Sequence, residues 1–482
     1  MTIGFFQFAT SSVHLATSLM LADEESLENE CHFYFWPNRT LVPNRMAANF
    51  PFGALSDFKF QREALKSCPL VLFHHFFERF PIKVHEYHKT LSNINLTDDF
   101  VSLKLLNQIT PGLGSALANH LASESNLLNL SNSRKKYVLL RSIKSYIQVF
   151  QNVVQEVNRH SITKVYLYNG RFLHERAVWE ACKSLGVEVL LFENTQDRYH
   201  LSNWGFHNRN QNQLRIRNFW ETARHSIDER LVIAKKYYER LESNENPFFR
   251  SDLTVALPEK YIAYFSNSDR EAIGFWEEWN QPFGNQLEAI KMLAESTRNI
   301  GISLVLRMHP NSGLFDEKQD NYLRYLVELS NVTLILSSSN ISSYEIMKKS
   351  CGIVTYGSTI GLEAAWNKIP CAVLADCKYD QLDVADKIVT QKEMLDWLEK
   401  LLKFTNFFDL KKRRLGAASW AFYVETGGDF LRNCEVVPGT WGAYQVKRYK
   451  NTQLIHSIPI LLLGLVYLKF KKILFFCKTF LG

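Results

Sequence analysis

At 482 residues, with 46% hydrophobic and 22% charged positions, the chain is long enough for two globular cores and too evenly mixed for a disordered protein. A formal net charge of +7 is mild over this length and gives no ground for nucleic-acid binding. The eight cysteines contain no CxxC pair and no metal-ligand spacing, which reads as reduced thiols in a reducing cytoplasm.

In chain order, the opening MTIGFFQF lacks the basic start of a signal peptide, and Ile3 to Phe8 reads as a buried strand. A small polar loop to His14, a helical stretch to Leu27 and a second strand from Cys31 to Trp36 complete a β-loop-α-β start, the usual opening of a doubly wound α/β domain. Leu70 to Phe73 is strand-like. Leu96 to Asn132 reads as helical with a break at Pro111-Gly112, and Lys135 to Arg159 as a long helix. Lys164 to Tyr168, a helix over Leu173 to Leu185, and Val187 to Phe192 form a second βαβ unit. Asn169, Arg171, Glu193 and Asp197 stand at its C-terminal mouth. The Pro- and Asn-rich stretch from Asn244 to Pro247 reads as an interdomain linker.

The second half repeats the plan. Lys260 to Phe265 begins it, Ser266 and Ser268 follow that strand, and LVLRMHP, LILSSSN, GIVTYGSTIGLEAAWNKIP and CAVLAD alternate apolar strands with helical runs. In an open parallel sheet, ligands bind at the carboxyl ends of the strands. Arg307, His309 and Pro310 end one strand. Gly357 permits a tight turn into a helix whose start carries Ser358 and Thr359, with Glu363 one turn on. Hydroxyls, backbone N–H groups and an imidazole gathered at strand ends suit a phosphate, and Glu363 suits ribose or sugar hydroxyls. Glu193, His14 or Asp197 could take a proton from an acceptor hydroxyl, with Glu193 placed to face an interdomain cleft; Asn169 and Arg171 would position substrate. There is no GxxxxGK[ST], GxSxG or HExxH, so P-loop, α/β-hydrolase and zincin chemistry are excluded. Ile458 to Leu481 is apolar but broken by Lys469, Lys471, Lys472 and Lys478, which predicts a segment lying on an anionic membrane surface.

RMHP followed by YGSTIGLEAAWNKIP resembles the C-terminal domain of bacterial capsule and surface-polysaccharide glycosyltransferases of GT-B type, above all the group that includes Kdo transferases; VYLYNGRF…VEVLLFEN looks like their N-terminal domain. The resemblance implies two Rossmann-like doubly wound α/β domains facing across a cleft, with His309, Pro310, Ser358 and Thr359 contacting the donor nucleotide. With the linker near Asn244 to Pro247 and the C-terminal change of composition, the expected division is an acceptor domain over 1–245, a nucleotide-sugar domain over 246–445 and a membrane-associating tail over 446–482. The expected reaction moves a sugar from a CMP-, UDP- or GDP-linked donor to a lipid-linked or oligosaccharide acceptor, with no cofactor, metal or nucleic acid, at the inner face of the cell membrane. A nucleotide-sugar epimerase or hydrolase and a non-catalytic membrane-associated subunit are the alternatives.

Overall fold

The computed structural model describes residues 1–8, 12–35, 67–75, 101–123, 132–195, 197–205, 208–243, 256–267, 281–309, 331–337, 341–403, 408–438, 444–450 and 452–453, with a few single positions between them. The chain divides into two compact units, Met1–Phe206 with Gly428–Gly482, and His207–Gly427.

The first unit holds a sheet of β1 (Thr2–Gln7), β2 (Glu30–Phe35), β3 (Leu72–His75), β4 (Lys164–Tyr168), β5 (Glu188–Thr195), β6 (Arg198–Ser202) and β13 (Asp429–Phe430), in the order β13-β6-β5-β4-β1-β2-β3. The first five strands are parallel; β6 turns back on β5, and β13 runs antiparallel to β6. Because β2 and β3 lie on one side of β1 and β4 and β5 on the other, the order reverses between β1 and β4, the place where doubly wound sheets bind ligands. Alternation along β1 and β2 divides the faces. Phe5 stacks between Phe33 and Tyr166, with ring centroids 5.9 and 5.2 Å away, in a core shared with Leu19 and Ala22 of α1 (Ser12–Glu25). Phe6 stacks on Tyr34 at 4.7 Å on the other face. A 3₁₀ turn (Val101–Gln108) and helices α2 (Leu113–Ser123), α3 (Asn132–His160) and α4 (Leu173–Ser184) complete the layer, broken at Pro111-Gly112 as expected.

In the second unit, β7 (Tyr261–Phe265), β8 (Ser303–Arg307), β9 (Val332–Ile335), β10 (Gly352–Thr355), β11 (Cys371–Val373) and β12 (Asp386–Lys387) form a parallel sheet ordered β12-β11-β10-β7-β8-β9. Relative to its own first strand this is the same doubly wound order. Every residue of β7 is buried, as a central parallel strand covered on both faces requires. Ile262 and Tyr264 face Ile290 and Leu293 of α7 (Gln286–Asn299) and Met394, Trp397 and Leu398 of α10 (Gln391–Lys403). Tyr261, Ala263 and Phe265 face Ile346 and Met347 of α8 (Ser343–Lys349) and Ile360 and Ala364 of α9 (Ile360–Trp366). The α/β, twice doubly wound architecture expected from the sequence is therefore present.

The domain boundaries differ from the expectation. Helices α5 (Arg209–Thr222) and α6 (Ile227–Leu241) belong to the second unit, since Ile216, Ala234 and Tyr238 are buried with Leu362, Trp366 and Ala417, the last on α11 (Leu410–Thr426). Tyr238 stacks on Trp366 at 4.9 Å and its hydroxyl donates to the Ala417 carbonyl at 2.9 Å. After α11 the chain returns to the first unit and forms the antiparallel β14 (Cys434–Pro438), β15 (Tyr444–Tyr449) and β16 (Thr452–Gln453). Residue 446 does not start a tail: Val446 is buried in the first core and its N–H donates to Ser12 Oγ at 3.1 Å, while Lys450 pairs with Asp23 at 2.7 Å. Residues 454–482, with the expected membrane segment, lie outside the described residues. Among the described residues no helix is long and apolar enough to cross a membrane. The described cysteines are free, and Cys31, Cys68, Cys182, Cys371 and Cys377 are buried.

Candidate functional site

The carboxyl ends of β8, β7 and β10 stand side by side in the second sheet. Strands β8 and β10 are thus two spacings apart, about 9–10 Å, with the end of β7 between them. The His309 N–H donates to Ser266 Oγ at 2.6 Å and the Ser266 N–H donates to the Arg307 carbonyl at 3.1 Å, so the turns after β8 and β7 are laced together. Asn267, next along, is pinned by Gln286 of α7: its N–H donates to Gln286 Oε1 at 2.7 Å. On the other side the Thr355 hydroxyl donates to the Phe265 carbonyl at 2.9 Å and accepts from the Ser358 N–H at 2.9 Å, which fixes the turn after β10 against β7.

Gly357 holds φ +100 in that turn, and a Cβ there would come within 2.8 Å of Cys377 Cβ and 3.8 Å of Asn267 Nδ2. Only glycine takes this backbone without strain. Thr359 is the N-cap of α9, yet its side chain makes no capping bond and the residue is exposed. The Thr359 hydroxyl therefore stands at the mouth without capping the helix. Ser358 is held from behind, its carbonyl accepting from the Tyr379 hydroxyl at 2.5 Å.

Two expectations take a different form. Arg307 is buried, and its guanidinium donates to the carbonyls of Leu336 at 2.5 Å and Ser339 at 3.0 Å. It ties the end of β9 to β8, a positioning role that strand alternation could not reveal. Glu363 is also buried, with Oε2 lacking a hydrogen-bond partner among the described residues. Burial pushes its carboxyl up to about 7 against a lowering hydrogen bond from Tyr344, with the Glu242 charge adding to the rise. An unpaired oxygen of this kind accepts a hydroxyl donor readily. Pro310 and Ser268 lie outside the described residues.

An ion network that no local motif announces supports the Gly357 turn. Arg209 of α5 bonds Asp376 at 2.8 Å and Asp380 at 2.5 Å, and Lys387 pairs with both carboxylates, at 3.2 Å to Asp380. Burial alone would lower the Lys387 amine, but Asp376 and Asp380 outweigh it and hold the amine above its ordinary value. Gln213 adds bonds to the Cys377 carbonyl at 3.1 Å and to Asp380 Oδ1 at 2.9 Å. The 376–381 loop is thereby fixed against the Gly357 turn.

In the first unit the ends of β4 and β5 bring Asn169 and Glu193 together. Asn169 sits at φ +55, a left-handed conformation that asparagine tolerates. Its Nδ2 donates to Glu193 Oε1, and its Oδ1 accepts from the Arg171 N–H at 3.2 Å. Asn169 thus positions the carboxylate. The Arg171 guanidinium lies over the Phe172 ring at 4.8 Å. His14 stacks on Tyr168 at 3.5 Å, and burial lowers its imidazole to about 3. It stays neutral near pH 7 and is a feeble base, which weakens that assignment. Asp197 is anchored in the β5–β6 turn, its carbonyl accepting from the Leu431 N–H at 2.8 Å. Sequence reading passed over Glu175 in the first turn of α4. It is 1% exposed, both its carboxyl oxygens lack partners among the described residues, and burial raises it to about 7.

No family model matches the chain and no curated protein matches it. Among solved structures it is similar to a Thermosulfurimonas dismutans KpsC β-Kdo 2,4-transferase, at 11% identity, TM-score 0.35, over 54% of this chain and 79% of that one. It is similar to a Neisseria meningitidis UDP-GlcNAc 2-epimerase, at 12% identity, TM-score 0.26, over 87% and 97%. It is similar also to the calicheamicin glycosyltransferase CalG4, at 9% identity, TM-score 0.27, over 89% and 95%. Likenesses this distant carry no argument about what the chain binds or catalyses.

Proposed function

We propose that the chain is a glycosyltransferase that binds a nucleotide sugar at the mouth of the second sheet and passes the sugar to a surface-polysaccharide acceptor. One observation carries the reading: the His309 turn and the Gly357–Thr359 turn end strands that flank β7, with Ser266 between them. A phosphate seated there would meet the His309 turn on one side and the exposed Thr359 hydroxyl, with Ser358 beside it, on the other. The buried Glu363 oxygen one turn into α9 would take a ribose or sugar hydroxyl.

The departing phosphate gains negative charge in the transition state, and fixed donors that already point at it lower the barrier without reorganising. The first unit would take the acceptor, with Glu193 removing the acceptor proton while Asn169 holds its carboxylate in place. Glu175 is the competing proton acceptor. Residues 454–482 would keep the enzyme at the cytoplasmic face of a membrane, beside a lipid-linked acceptor.

A thermal-shift screen of CMP, UDP and GDP sugars tests the reading. One nucleotide class should raise the melting temperature, and the Ser358→Ala/Thr359→Ala variant should lose that rise. Failure of every class removes the donor assignment. Incubation with the donor alone separates transfer from epimerisation: an accumulating epimer would assign the site to the second activity.

A further inference from the structure

Three histidines far apart in sequence converge at the β2–β3 edge of the first sheet. His32 is the third residue of β2 and 1% exposed, His74 lies on the adjacent edge strand β3, and His160 is the last residue of α3. Their ligand-type atoms all lie within 4.8 Å of one another. His32 Nδ1 is 2.8 Å from His74 Nε2. The ring centroids are 4.9 Å apart for His32–His74, 4.2 Å for His32–His160 and 5.1 Å for His74–His160. Just past His160 the Thr163 N–H bonds the Thr2 carbonyl at the start of β1. The cluster therefore lies on the β2–β3 side of β1, while Asn169 and Glu193 end β4 and β5 on the other side.

Two carboxylates stand behind the rings. Glu30 Oε1 is 3.0 Å from His32 Nε2, and Glu156 Oε2 is 3.4 Å from His160 Nε2. A carboxylate that accepts from the far nitrogen of an imidazole fixes its tautomer and raises its basicity as a ligand. Neutral imidazoles are the form that ligates a metal.

We propose that His32, His74 and His160 form a binding site for a divalent transition-metal ion, zinc by ligand type, which ties edge strand β3 and the last turn of α3 to β2. Three imidazoles are a familiar zinc donor set that leaves a fourth position for water. The proton balance is simple. With His32 Nε2–H donating to Glu30, His32 Nδ1 carries a lone pair, so His74 Nε2–H is the donor in the 2.8 Å contact. When the metal enters between the rings, His74 moves that proton to Nδ1 and presents Nε2. That shift within His74 leaves its proton count unchanged.

The test uses the full chain stripped with a chelator, then titrated with Zn²⁺ against a chromophoric competitor and separately with Co²⁺. The expected result is one Zn²⁺ per chain and Co²⁺ visible bands of tetrahedral intensity. His160→Gln, at a partly exposed position, should lose the bands and weaken Zn²⁺ binding at least about 100-fold. Glu30→Gln, at an exposed carboxylate, should weaken it about 10–100-fold, the usual cost of losing such a backing group. Matching melting curves for wild type and His160→Gln in chelator would show that the variant folds. Absence of stoichiometric metal, or equal affinity in wild type and His160→Gln, would overturn the proposal.

Discussion

Replacing Gly357 with alanine tests the geometry of the second mouth. The residue sits at φ +100, and its new Cβ would approach Cys377 Cβ to 2.8 Å. Cys377 cannot easily withdraw, because Gln213 holds its carbonyl and Arg209 and Lys387 hold the loop around it. Backbone strain of this kind costs about 1–3 kcal/mol, and overpacking a close-packed site adds about 1–3 kcal/mol. For a unit of this size each kcal/mol moves the melting temperature by about 2–4 °C, so the loss should fall in the range of about 4–24 °C. Gly301 supplies the control. It also has positive φ, +71, but a Cβ there would meet nothing within 4 Å, so Gly301→Ala carries only the conformational cost of about 1–2 kcal/mol. Differential scanning calorimetry of the two variants gives the comparison. Equal melting temperatures for both would refute the tight Gly357–Cys377 contact and the turn built on it.

Other outcomes follow from the same contacts. Glu363 has a folded pKa of about 7 against an ordinary 4.5, so the stability of its protonated form is fully present below about 4.5 and is lost as pH rises through 7. Glu363→Gln should therefore be more stable than wild type at pH 8, with the gap closing toward pH 5 in urea melts; a gap independent of pH would contradict the burial argument. Asp380→Ala leaves Arg209 and Lys387 with Asp376 alone and should cost about 1.5–3 kcal/mol, the loss of charge-assisted hydrogen bonds, read from denaturant midpoints; a cost below about 1 kcal/mol would show that the network does not brace the loop. His309→Ala should cut turnover about 100-fold or more, and a near-normal rate would remove it from the mechanism. Glu193→Gln should lower kcat by about 10²–10⁴ with donor affinity unchanged; if only Glu175→Gln has that effect, the proton acceptor is Glu175.

The parallel strands were legible because buried runs such as YIAYF and LVL announce themselves, and the mouth residues because glycine, hydroxyls and His-Pro cluster at strand ends. Long-range pairing was not legible. Nothing near Arg307 signals that its donors meet the Leu336 and Ser339 carbonyls. The Asn244–Pro247 stretch reads as a linker, but the boundary is set by Tyr238 packing on Trp366 and Ala417. Glu175 looks like an ordinary first-turn carboxylate until its burial is seen. His32, His74 and His160 share no motif, because the sheet and α3 bring them together only in the fold.

Calorimetric titration of the preferred nucleotide into wild type and Ser358→Ala/Thr359→Ala is the most direct test of donor binding at the second mouth. The expected result is saturable one-to-one binding by wild type, weakened at least about tenfold in the variant, the effect of losing one charge-assisted hydrogen bond. Identical affinities in the two proteins would place the nucleotide elsewhere and contradict the assignment.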